Sequence, residues 1–134
     1  MLSLLEEERR PFSDRLQMRL NTLPHGEILV SIVSFQEHTK GWLAYINNAK
    51  TDDGVLHGYA RLARVLELYC NSQVVPFDQT ALGCWHELKK QRVRVGTRDL
   101  RIAAIALARN ATLLSRNLRD FRKVPGLVVE DWTL

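Results

Sequence analysis

The stretch that most constrains this chain runs from Gly96 to Phe121: Gly-Thr-Arg-Asp-Leu-Arg-Ile-Ala-Ala-Ile-Ala-Leu-Ala-Arg-Asn-Ala-Thr-Leu-Leu-Ser-Arg-Asn-Leu-Arg-Asp-Phe. It reads as a helix, then a strand, then an acid-bearing turn. From Leu100 to Ala108 only Arg101 is polar, so this helix is apolar nearly all round and is expected to be buried. Ala103, Ala104, Ala106 and Ala108 allow close backbone approach. Asn110 is placed to end the helix in a left-handed conformation. Ala111 to Leu114 is a short apolar run, as in a strand covered on both faces of a parallel sheet. Asp99 in the helix's first turn, and Ser115, Asn117 and Asp120 beyond the strand, fall where open α/β sheets place their sites.

The rest of the chain alternates in the same way. Residues 2–10 read as a short amphipathic helix (Leu2, Leu4, Leu5), broken at Pro11. Ser13 or Asp14 then caps a second helix carrying Leu16, Leu20 and Leu23. Pro24-His-Gly is a turn. Glu27 to Ser31 reads as a strand, within an apolar run that continues through Ile32 and Val33. Ser34-x-x-Glu37 reads as a capping box opening the next helix, with Phe35, Trp42, Tyr45 and Ile46 as its apolar stripe. A long helix over about residues 55–71 follows, then a brief strand at 73–75. Asp78 caps a helix to about Lys90, and Gln91 to Arg98 is a basic loop. Val124-Pro-Gly is a turn before a last short strand at 127–129. The expected class is α/β with a mainly parallel sheet, and 134 residues form one domain, 1–134.

Charge is distributed unevenly. The net charge is +4, yet residues 89–123 hold eleven Lys or Arg against Asp99 and Asp120. The remainder of the chain is therefore net acidic. Such asymmetry points to a polyanionic partner on one face. There is no apolar run long enough to span a membrane, and the opening residues, with acids from Glu6 onward, do not read as a signal peptide. A cytoplasmic location is expected. Cys70 and Cys84 form no CxxC pattern and read as reduced core residues. His25, His38, His57 and His86 show no ligand spacing, and Trp42, Trp85 and Trp132 read as core aromatics.

No P-loop, GxGxxG or Ser/His/Asp arrangement is present. What remains is acids at element boundaries: Glu37, Asp99 and Asp120. Each has a structural explanation, as a capping box, a dipole partner or a turn residue. Gathered at one end of a parallel sheet they repel one another unless a cation lies between them. Mg²⁺ or Mn²⁺ suits such an all-oxygen site. It can activate water and neutralise a phosphodiester, while a basic rim holds the polyanion.

These motifs resemble those of the PIN-domain family, in particular the VapC-type toxins of bacterial toxin–antitoxin pairs. Ser31-Ile-Val-Ser-Phe-Gln-Glu-His-Thr-Lys-Gly41 is similar to the family's second motif. Gly96-Thr-Arg-Asp-Leu-Arg-Ile-Ala-Ala104 is similar to its third, Leu114-Ser-Arg-Asn-Leu-Arg-Asp-Phe121 to its fourth, and Val124-Pro-Gly to Trp132 to its ending. The resemblance implies a PIN-like α/β/α sandwich and a Mg²⁺-dependent (or Mn²⁺-dependent) endoribonuclease. Glu37 and Asp99 would be its metal-site acids, the fourth position would fall on Asn117 or Asp120, and Ser115 would support it by hydrogen bonding. The basic rim would consist of Arg92, Arg94, Arg98, Arg116 and Arg119, facing RNA. A small cognate antitoxin and a homodimer are further implications.

The chain departs from the family at its start. The family opens with a hydrophobic strand ending in Asp, whereas Met1 to Leu5 reads as the helix that follows such a strand. The expectation is therefore a sheet lacking its first strand and first Asp, with neighbouring strands left unpaired. Two functions follow from this: a weakened endoribonuclease, or a catalytically dead PIN remnant that binds an antitoxin or nucleic acid.

Overall fold

A computed structural model describes residues 3–5, 18–19, 21–23 and 27–132. Its elements, in chain order, are β1 (Ser3–Leu5), β2 (Ile28–Ser31), α1 (Ile32–Asn48), α2 (Asp52–Cys70), β3 (Val74–Val75), α3 (Gln79–Lys90), α4 (Thr97–Ala108), β4 (Thr112–Leu114), α5 (Leu118–Phe121) and β5 (Val129–Glu130). The strands form one sheet in the order β3-β2-β1-β4-β5. Every pairing is parallel. The α/β class and its parallel sheet are as the alternation of elements requires.

The start of the chain corrects the sequence reading. Ser3–Leu5 is a strand at the centre of the sheet, with Leu4 paired to Leu29 on one side and to Leu113 on the other. No strand is missing from that position, and β2 and β4 are not left with open edges. Two parallel neighbours satisfy the main chain of these three residues on both sides, which outweighs their local helical spacing. Leu4 is among the most deeply buried side chains. The strand itself contains no carboxylate. The remainder of the first expected helix, the cap at Ser13 or Asp14 and the Pro24 turn lie outside the described residues.

The core forms where α4 crosses the sheet. Ile102, Ala103, Ala104, Ile105 and Ala106 are all buried, and all but Ala104 share one core cluster with Leu4, Leu29, Leu113 and Phe121. Alanine lets the helix backbone lie close to the strands, as the sequence indicates. Its end is a Schellman turn: Ala111 N–H reaches Ala106 C=O at 2.9 Å, Asn110 N–H reaches Leu107 C=O at 3.1 Å, and Asn110 has φ 52°. Helix α3 ends the same way on Arg92, with φ 57° and a Val93 N–H to Leu88 C=O bond of 3.2 Å. Asp78 caps α3 as expected, accepting from Ala81 N–H at 3.0 Å.

Helices α1 and α2 pack as a hairpin. Gly58 is a point of close approach, since a Cβ there would lie 2.6 Å from Ile46 Cγ1. Trp132 is buried, while Trp42 and Trp85 are only half-buried. The cysteines are free as expected, but they are not core residues: Cys70 is exposed and Cys84 half-buried.

Candidate active site

Parallel strands bring all their carboxyl ends to one edge of the sheet. The chain order reverses across β1, with β2 and β3 on one side and β4 and β5 on the other. A crevice outside the strand ends at such a reversal is where ligands bind in open α/β sheets. The β2–α1 junction, the start of α4 and the β4–α5 junction all lie at this edge.

At the first junction the helix begins earlier than the sequence reading has it. Ser31, not Ser34, is the N-cap of α1, and its Oγ accepts from Ser34 N–H at 3.0 Å. The Ser31 and Ser34 hydroxyls lie 3.2 Å apart and both are buried. The apolar run does not mark this boundary, because Ile32 and Val33 suit a strand or a covered helix equally. The shift has a consequence for Glu37. It lies in the second turn rather than at the third helical position, so it completes no capping box. Half-buried, Glu37 has no hydrogen-bonded or ionic partner among the described residues. Its neighbour His38 instead turns to Tyr69, with Nδ1 2.9 Å from the phenol oxygen.

Asp99 lies in the first turn of α4, whose N-cap is Gly96 and receives no side-chain cap. The helix's positive end therefore faces the same edge. Asp99 is largely covered, its side chain 16% exposed, and Arg98 Nη2 donates to its Oδ1 at 2.9 Å. The sequence reading assigned Arg98 to the rim; in the structure it also pairs with an acid of the site. The adjacency of Arg98 and Asp99 was the available signal.

The third group is self-contained. Ser115 is buried and its Oγ accepts from Asn117 N–H at 2.9 Å, so it does brace this turn. Asn117 caps α5, and its Nδ2 donates to Asp120 Oδ2 at 3.1 Å. Lys123 Nζ lies 3.4 Å from Asp120 Oδ1. The Asn117 hydrogen bond, and after it the Lys123 and Arg119 charges, hold the Asp120 carboxyl below the ordinary aspartate range. Arg92, Arg94, Arg116 and Arg119 are exposed, on the loop before α4 and around the β4–α5 junction.

Glu37, Asp99, Asn117 and Asp120 offer oxygen donors alone, which suits a hard divalent ion. Among the described residues no three acidic, histidine or cysteine side chains converge as a metal cage. Mg²⁺ is commonly held by one or two carboxylates, with water and substrate phosphates completing its shell. Glu37, unpartnered among the described residues, and Asp99, already paired with the cationic Arg98, fit that sparser arrangement.

A match to the PIN domain spans residues 1–127. The chain belongs to the PIN-domain family. Within the family it is of the VapC type: it is 31% identical over 116 residues to ribonuclease VapC1 of Haemophilus influenzae, covering 83% of this chain and 78% of that protein. A shorter match, 39% over 46 residues, is to the tRNA(fMet)-specific endonuclease VapC of Salmonella typhimurium, covering 34% of this chain and 35% of that protein. The PIN fold is shared with VapBC-1 of nontypeable Haemophilus influenzae at TM-score 0.77 and 22% identity, with both chains covered in full. The DNA-bound VapBC of Salmonella typhimurium gives TM-score 0.77 at 24% identity, covering 98% of this chain and 99% of that one. Among the described residues no helix is long and apolar enough to cross a membrane.

Proposed function

We propose that this chain is a VapC-type toxin that cleaves RNA phosphodiester bonds as a divalent-metal-dependent endoribonuclease. The observation that carries the reading is the half-buried Glu37, unpartnered among the described residues, at the same sheet edge as Asp99, which lies at the positive end of α4. A divalent ion held there would supply an activated water and offset charge on the phosphodiester. Glu37 and Asp99 would hold it, with Asn117 or Asp120 at the fourth position and Ser115 supporting that turn by hydrogen bonding. Arg92, Arg94, Arg98, Arg116 and Arg119 bind the RNA backbone through phosphate contacts. The compartment is the cytoplasm, where RNA is met.

A small antitoxin and a homodimer complete the proposal. The exposed face of α2 supports a protein partner: Leu56, Tyr59 and Leu66 recur at helical spacing and are 70%, 57% and 59% exposed. A second reading rests on β1, whose described residues Ser3–Leu5 include no carboxylate. By this reading the chain is a catalytically dead PIN module that retains antitoxin or nucleic-acid binding.

One experiment separates the two. A panel of structured RNAs is incubated with the protein in Mg²⁺ or Mn²⁺, with Glu37→Gln and Asp99→Asn alongside. The enzyme reading expects cleavage that both substitutions and chelation abolish. Cleavage indifferent to both substitutions would remove the assigned site. Absence of cleavage, with tight binding to the small protein encoded beside it, supports the second reading.

A further inference from the structure

We propose that Arg98 is a built-in counter-ion of Asp99, which a divalent cation must displace before it binds, so that Arg98 sets the threshold for metal loading. The inference rests on the metal-site reading above and concerns the chain's own residues. Arg98 Nη2 lies 2.9 Å from Asp99 Oδ1, a charge-assisted hydrogen bond to a side chain only 16% exposed. Arg98 itself is 33% exposed, so its guanidinium has room to leave.

Two features make this pairing more than an incidental surface contact. A cation in the first turn of a helix opposes the helix dipole, and the Gly96 cap offers it no side-chain acceptor. Asp99 accepts from the guanidinium in this position. The pairing also places a positive charge against one carboxylate of the site from within the chain. The same oxygen cannot serve Arg98 and a divalent ion at close range without bringing two cations together. Metal binding and the ion pair are therefore in competition.

Asp120 provides the contrast. Its charged partner, Lys123, lies farther off at 3.4 Å, and both side chains are well exposed. A solvated pair of that kind costs little to break, and it places no comparable barrier before an incoming ion.

The test is Mn²⁺ titration of the full chain by calorimetry, which needs no turnover. Arg98→Met is expected to bind Mn²⁺ roughly two- to fivefold more tightly than the parent, the range set by a partly exposed ion pair. Arg94→Met removes a nearby charge without the pair and is expected to change affinity less. In an Asp99→Asn background, Arg98→Met is expected to have no further effect. Equal Mn²⁺ affinities for parent and Arg98→Met, or equal effects of Arg98→Met and Arg94→Met, would overturn the proposal and leave the site reading intact. If no Mn²⁺ binds to either parent or Arg98→Met, the proposal and the metal-site reading fall together.

Discussion

The junctions β2–α1 and β4–α5 have the same plan and leave their acids in different states. Each is a parallel strand whose carboxyl end turns into a helix, with a serine at the turn and an acid a few residues on. At β2–α1 the Ser31 hydroxyl caps the helix by itself, and Glu37, one turn further, is left without a partner among the described residues. At β4–α5 the cap is Asn117, whose amide also donates to Asp120, and Lys123 stands by. An acid at a strand end is thus available to a ligand only where other groups meet the local hydrogen-bonding demand. In this molecule Glu37 meets that condition and Asp120 does not.

The comparison breaks most visibly in activity. Glu37→Gln is expected to lower RNA cleavage by about a hundredfold or more, beyond what losing an outer partner of a metal site costs. Asp120→Asn is expected to lower it by less than about tenfold. Initial rates on one RNA substrate decide this, and matching losses would put the two junctions on an equal footing.

Stability offers a smaller contrast. Ser31→Ala removes the only side-chain cap of α1 and is expected to cost about 1 kcal/mol. Ser34→Ala removes only the hydroxyl contact and is expected to cost less. Denaturant midpoints at constant slope would compare them. Equal costs would show that the buried hydroxyl pair matters more than the cap.

The smallest effect is one of titration. Asn117→Ala removes the main cause holding the Asp120 carboxyl low, so the pKa of that carboxyl should rise toward the ordinary aspartate value. A depressed carboxyl stabilises the fold above its unfolded pKa, and that stabilisation is lost as pH falls through the lower folded value. Asn117→Ala should therefore reduce the stabilisation from Asp120 at neutral pH and move its loss on acidification toward the ordinary aspartate range. Carbon-detected NMR titration of Asp120 follows this directly, and an unmoved pKa would assign the shift to Lys123 and Arg119 instead.

Much of the fold was legible in the residues. The Gly96–Phe121 stretch announced its helix, its strand and its left-handed end at Asn110, because twelve helical residues with one apolar pattern leave few alternatives. The motif spacing pointed to the family, and the charge asymmetry to a polyanionic partner, for the same reason: they are properties of the chain as a string. Only the tertiary structure decided β1, the true cap of α1 and the partners of the acids. A three-residue strand has too short a pattern to identify itself, and its stability comes from main-chain bonds to β2 and β4, more than twenty and a hundred residues away. The helix start at Ile32 depended on which strand the apolar run could pair with. Whether Glu37 lacks a partner among the described residues while Asp99 pairs with Arg98 and Asp120 with Asn117 is a matter of a few ångströms between side chains. Sequence spacing proposes such contacts, and packing settles them.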